Sequence, residues 1–372
     1  MKVNPLRKLE TLGQSVWLDY IRSDLIESGE LKRLIEEDGL RGMTSNPAIF
    51  EKAIAESTIY DRDILQKALK TKDVISIYEA LSQRDVQNAA DVFLPVYEKT
   101  SGQDGYVSLE VNPHLAHDTD GTIKEARRLY AALDRPNVLI KVPATDEGIV
   151  AIRKLISEGI SVNVTLLFGL PRYRQIIEAY LSGLEARAAQ GRTVRNIASV
   201  ASFFLSRIDT LIDPPVKKKF DPEGKYSEIA KKIYGQVAIS SAKAAYQIYK
   251  DIFGSERFKK LAAMGARKQR LLWASTSTKN PEYSDIKYIE EIIGPETVNT
   301  VPPETLDAYR DHGDPKSRLE KDIAEAEWVM AQLSELGINI DTLTQQLEDE
   351  GVKKFNEPFD RLMESIRKKA TK

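Results

Sequence analysis

About eight short β-branched runs punctuate the 372-residue chain, and the stretches between them carry helical apolar periodicity. The runs are VWLDYI (16–21), LRGMT (40–44), YVSLEV (106–111), VLIKV (138–142), SVNVTLLF (161–168), IASVASFF (197–204), RLLWAS (270–275) and TVNTV (297–301). Such alternation is the sequence form of βαβ units and a parallel sheet. One connection reads in detail. Thr145 is placed to cap a helix whose first turn carries Asp146 and Glu147; Ile149, Ile152, Leu155 and Ile156 share one face, and Gly159 ends it before the next strand. A parallel strand reached through a helix is a right-handed crossover, and eight such units close into a (β/α)8 TIM barrel, an α/β fold. The expected organisation is one barrel domain over 1–372 with extra N- and C-terminal helices.

The extra segments have their own character. Residues 47–105 are long for one crossover and read as helical, with ALSQRDVQNAADVF as the clearest stretch. DPPVKKKFDPEGKYSE (213–228), rich in Pro and Lys, is expected to be an exposed loop. Residues 305–372 hold two helical patterns, KDIAEAEWVMAQLSEL and IDTLTQQLEDEGVKKFNEPFDRLMESI, expected as a C-terminal extension packed across the barrel mouth.

Composition narrows the function classes. With 54 Lys and Arg against 56 Asp and Glu, the chain has no overall positive field to hold a polyanion, and no zinc-finger, RRM or KH pattern occurs, so no nucleic-acid partner is expected. No apolar run approaches a membrane span and MKVNPLRKLETLGQ lacks a signal-peptide core, so neither a membrane partner nor a location outside the cytoplasm is expected. Zero cysteines exclude disulfides, thiolate nucleophiles and Cys-ligated metals. His114, His117 and Asp118 in NPHLAHD are the best metal candidates, yet only His312 remains elsewhere and no third ligand is evident. Gly-rich phosphate loops and nucleophile elbows are missing as well.

In a barrel of this type the chemistry lies at the C-terminal ends of the strands. Read there, the chain offers Asp19, then Thr44, Ser45 and Asn46, then Glu110, Lys141, Asn163, Thr165, Ser202 and Ser275. Lys141 is the most informative. Strand interiors disfavour lysine, and taken alone such a residue is more often one whose stem lies along the strand while its head reaches water. Held among Val138, Ile140 and Val142 it is expected to be desolvated, which favours the neutral amine that attacks carbonyls. Forming an imine and breaking a neighbouring carbon–carbon bond need two separate carboxyls, and Asp19 and Glu110 supply them, although a buried ion pair would also explain either acid. Arg207 and Lys279, beyond consecutive late strands, suit a phosphate, a frequent ligand of late loops in such barrels. Asn46 before Pro47 marks a strand-to-helix turn.

Taken together, these motifs resemble the transaldolase family. GMTSNPAIF (42–50) looks like its first signature and NVLIKVPATDEGIVAI (137–152) its second, the one that holds the Schiff-base lysine. The resemblance runs from about residue 10 to about 310, and the length suits the larger bacterial type with C-terminal helices. It implies a transferase of the pentose phosphate pathway that moves a dihydroxyacetone unit between ketose and aldose phosphates. Sedoheptulose 7-phosphate and glyceraldehyde 3-phosphate would give erythrose 4-phosphate and fructose 6-phosphate.

By that resemblance Lys141 forms the imine, Glu110 moves protons through a water held with Thr165, and Asp19 takes the C4 hydroxyl proton. Asn46, Asn163 and Ser202 hydrogen-bond the dihydroxyacetone portion, while Arg207, Ser275 and Lys279 hold the phosphate. Lys279 stands where better-known members have Arg after a shorter motif, and Ser277 competes with Ser275. No metal or organic cofactor is implied, and the expected state is a monomer or homodimer. The nearest competitor, fructose 6-phosphate aldolase, releases free dihydroxyacetone; it carries Gln where Glu110 stands and Tyr where Phe204 stands. Metal-dependent aldolases and an inert sugar-phosphate-binding barrel are the remaining classes.

Overall fold

The computed structural model describes residues 4–371. Eight parallel strands close a barrel in chain order: β1 (Gln14–Asp19), β2 (Gly42–Thr44), β3 (Tyr106–Glu110), β4 (Val138–Pro143), β5 (Val162–Leu167), β6 (Ser199–Phe204), β7 (Arg270–Ala274) and β8 (Thr297–Val301). Closure is made by β1 against β8, from Gln14 opposite Thr297 to Leu18 opposite Val301. Almost every strand residue is buried, because the lumen is filled on one side and helices cover the other. The lumen is not wholly apolar. At its N-terminal end Arg270 pairs with Asp104 at 2.8 Å and donates to Ser15 at 3.0 Å, a buried pair far from the strand ends where chemistry is expected.

The crossover after β4 has the expected form. Its helix, Asp146–Glu158, starts where Thr145 Oγ1 accepts from Gly148 N at 3.0 Å and stops at Gly159, whose φ of 94° only glycine adopts freely. Gly148 is needed for a different reason. A Cβ there would lie 2.0 Å from the Pro143 carbonyl, so the backbone can turn back onto the end of β4 only with glycine.

Residues 47–105 are helical as expected, in three pieces: Pro47–Ala55, Asp61–Ala68 and Val74–Lys99. The segment 213–228 departs from expectation in its first part. Helix Ser206–Lys217 runs through Pro214 and Pro215, since Ile208, Ile212 and Val216 bury one face and that packing outweighs two missing donors; the open stretch is confined to the residues before helix Ser227–Ile233. The two C-terminal helices also part ways. Ile323–Glu335 packs outside the barrel on helix Val237–Phe253, whereas Ile340–Lys369 crosses the C-terminal mouth against helix Pro47–Ala55.

That crossing helix is pinned along its length. Arg172 holds both oxygens of Glu348 at 2.9 and 3.1 Å and also reaches Asp146; Arg361 pairs with Glu51 at 3.0 Å. Among the described residues no helix is long and apolar enough to cross a membrane.

Candidate active site

At the C-terminal ends of the strands a cleft of about 1310 Å³ opens beneath the crossing helix. Strand register brings its acids and its amine together. Asp19 stands opposite Thr44, Glu110 opposite Lys141, and Lys141 opposite Asn163. Lys141 is 4% exposed and its ammonium cannot snorkel out. Its Nζ donates to the Ser45 carbonyl at 2.9 Å and lies 3.3 Å from Glu110 Oε2.

The surroundings of Lys141 correct the sequence-based picture. Val138, Ile140 and Val142 alternate onto the opposite face of β4, so they do not desolvate the amine. The lumen and the crossing helix do: the ring of Phe355 is centred 5.8 Å from Nζ.

The two carboxyls occupy different environments. Thr44 Oγ1 donates to Asp19 Oδ1 at 2.6 Å and is itself paired with Thr300 Oγ1 at 2.7 Å, which orients Asp19 at the cleft wall. Burial raises the Asp19 carboxyl above its usual range against the pull of Lys141, Thr44 and Lys279. Glu110 is pushed up by burial to about 7, with the Lys141 charge opposing the shift. It does not line the cleft and borders a separate, narrow pocket with Tyr78, Glu125 and Phe359. Thr165 Oγ1 is buried without a hydrogen-bond partner and Glu110 Oε2 has only the 3.3 Å ion pair with Lys141, a costly condition that a bridging water would relieve.

The amide and hydroxyl candidates divide. Asn46 lines the cleft, and its Oδ1 caps helix Pro47–Ala55 by accepting from Ile49 N at 3.0 Å. Ser202 and Phe204 line it too. Asn163 lies beneath the floor, fully buried, donating to Ser108 at 3.1 Å and accepting from Ser202 at 2.7 Å, so it meets the cleft through Ser202.

The cleft also carries two cations from the segments that follow β6 and β7. Arg207 opens helix Ser206–Lys217, lies 5.9 Å from the centre of the Phe204 ring, and leaves Nη1 buried without a partner. Burial lowers the proton affinity of Arg207, and burial together with Arg207 lowers that of Lys279. A cation lowered by its cationic neighbour beside a cleft is electrostatically suited to an anion. Lys279 Nζ contacts Ser277 Oγ at 2.7 Å, so the residues following β7 do deliver a cation to the cleft. Ser275 takes a left-handed φ of 53°, unusual for a non-glycine, and its Oγ pairs with Ser206 Oγ at 2.9 Å; both Ser275 and Ser277 reach the cleft.

His114 and His117 stay outside this constellation. His114 pairs with Asp360 at 2.7 Å and His117 with Glu147 at 3.1 Å, each on the surface. Among the described residues no group of three or more His, Asp or Glu is arranged to hold a metal.

Residues 16–366 match the transaldolase/fructose-6-phosphate aldolase family. The chain belongs to that family. It is 53% identical to a transaldolase of Trichodesmium erythraeum (strain IMS101), with 100% of this chain and 99% of the relative aligned. Against a "Transaldolase 2" of Nostoc sp. (strain PCC 7120) the identity is 49%, over 98% and 97% of the two chains. A transaldolase of Thiobacillus denitrificans is 45% identical over 98% of this chain and its own full length. The protein is therefore a family transferase. The match also extends well past residue 310, where the motif-based resemblance stopped, and takes in the crossing helix.

Among the cleft residues sequence reasoning passed over are Phe355 and Lys354 on that helix, with Lys52, Thr300, Tyr20 and Glu304. A signal for Phe355 was present. Val352, Phe355 and Phe359 form an apolar stripe at helical spacing, and a helix crossing the mouth has to aim that stripe into it.

Proposed function

We propose that this chain transfers a dihydroxyacetone unit between ketose and aldose phosphates through an imine on Lys141, in the cytoplasm, without a metal or organic cofactor. The observation that carries the reading is a buried lysine amine flanked by carboxyls from two other strands, in a cleft that Arg207 and Lys279 also line. Glu110 takes the proton shed as the amine attacks C2 of the ketose and returns it to the departing hydroxyl, by way of a water shared with Thr165. Asp19 then accepts the C4 hydroxyl proton as the bond between C3 and C4 breaks, and the iminium stores the electron pair. Asn46 and Ser202, the latter held from beneath by Asn163, orient the three retained carbons; Arg207, Lys279 and Ser275 hold the phosphate. The 372 residues act as one barrel domain with 305–372 as its extension, as a monomer or homodimer and without nucleic acid. Release of free dihydroxyacetone is the alternative outcome, and Glu110 and Phe204, in place of Gln and Tyr, favour transfer.

The direct test is borohydride reduction in the presence of fructose 6-phosphate, followed by peptide mass spectrometry. A reduced three-carbon adduct on Lys141 is the expected product, and its absence from every lysine would remove the mechanism.

A pH dependence follows from Glu110. Its carboxyl is raised to about 7, so below that pH it is protonated and cannot accept the amine's proton. The single-turnover rate of adduct formation should fall as pH drops through about 7. Glu110→Gln should erase that limb and slow adduct formation by about 10²-fold or more. The linked stability has the same origin: the folded state favours protonated Glu110, so the stability due to this group is full below the usual glutamate value and is lost as pH rises through about 7. Adduct accumulating in Glu110→Gln at the wild-type rate would dismiss the assigned role.

A further inference from the structure

The crossing helix carries a residue whose placement exceeds what packing needs. Phe355 is 5% exposed although it lines an open cleft together with Lys141, Thr165 and Phe204, and its ring centre lies 5.8 Å from Lys141 Nζ. One turn earlier on the same buried face is Gly351. A Cβ at Gly351 would come within 3.0 Å of the Leu166 side chain, so the helix rides directly on β5. Leu166 itself holds a left-handed φ of 56°, in the stretch between Val164 and Leu167 where β5 slips register against β6, and it directly follows Thr165. With the Arg172–Glu348 and Arg361–Glu51 pairs, these contacts make Phe355 a fixed part of the wall rather than a loose lid.

We infer that Phe355 is a positioning residue that shields the three-carbon intermediate on Lys141 and thereby sets the ratio of transfer to release. The inference rests on the Schiff-base reading above. After the C3–C4 bond breaks, the amine nitrogen remains joined to C2 of a dihydroxyacetone enamine. In transfer, C3 forms a bond to the aldehyde carbon of the acceptor, the carbonyl oxygen takes a proton, and water then adds at C2 and the C2–N bond breaks to free the new ketose phosphate. In release, a proton adds at C3 instead, water adds at C2, and the C2–N bond breaks to give free dihydroxyacetone and the amine. Both fates end in hydrolysis; only release needs a proton delivered to C3 while no acceptor is bound. A phenyl ring has no exchangeable proton and excludes water from the volume it fills, so it withholds the proton that C3 would need.

The test compares wild type, Phe355→Ala and Phe355→Leu. Dihydroxyacetone released from fructose 6-phosphate alone is measured beside sedoheptulose 7-phosphate formed when erythrose 4-phosphate is added, each normalised to borohydride-trapped adduct on Lys141. The expected result is a release-to-transfer ratio raised about tenfold in Phe355→Ala and within about threefold of wild type in Phe355→Leu, which retains most of the bulk. An unchanged ratio in Phe355→Ala, with adduct still trapped, overturns this inference and leaves the Schiff-base reading standing. No adduct in the wild type overturns both. Should Phe355→Ala fail to fold, Phe355→Val takes its place, with the same rise expected and the same unchanged ratio overturning the inference.

Discussion

Lys141→Met is expected to abolish turnover, by on the order of 10⁴-fold or more in kcat, and to leave sugar-phosphate binding in place. Methionine matches the stem of lysine in length and is at home in a buried site, so the lumen stays filled. The substitution strands no charge. Glu110 is already raised to about 7 by burial, and removing the opposing Lys141 ammonium drives it further toward the neutral acid. Binding persists because Arg207 and Lys279 belong to other strand ends and make no contact with Lys141. Calorimetry with fructose 6-phosphate separates the two effects, and the borohydride adduct disappears with turnover. Lys52 and Lys354 also line the cleft, which makes the adduct's location decisive. Activity retained within tenfold of wild type, or an adduct carried by either rim lysine, would relocate the nucleophile.

Arg207→Ala is expected to lower kcat/KM for fructose 6-phosphate by about 10²–10³-fold, chiefly through KM, without destabilising the protein. Two charge-assisted hydrogen bonds to a phosphate, at about 1.5–3 kcal/mol each, account for that loss. The second half of the prediction separates a binding role from a structural one. Arg207 is half-buried, leaves Nη1 unpartnered and is depressed by desolvation with only Glu350 opposing the shift, so its burial costs the fold some stability, which its removal returns. A structural arginine would show the reverse. Arg207→Lys should recover only part of the affinity, since a point charge lacks the planar fork. A urea midpoint that falls along with KM unchanged would return Arg207 to the scaffold.

Much of the barrel was legible because parallel strands covered on both sides must be apolar almost throughout, and eight such runs stand out from amphipathic helices at a glance. The same contrast exposes the site. Asp19, Glu110, Lys141 and Thr165 are polar residues at the ends of apolar runs, where a packed strand has no use for them. Arg207 and Lys279 were readable by their position just past late strands. The Pro214–Pro215 pair misled because proline weakens a helix locally, while three buried side chains on the same helix hold it from outside.

Alternation, strand order and the placing of a lysine inside an apolar strand were determined by the sequence itself, since each depends on residues close together in the chain. What desolvates Lys141 was decided only by tertiary structure. Its chain neighbours point away from it, and its actual surroundings come from β3, from the turn after β2 and from a helix more than 200 residues later. Asn163 sank beneath the floor and Glu110 behind the lysine for the same reason. Strand register and helix crossing set the depth of a side chain in a closed barrel, and both arise from contacts between elements rather than within them.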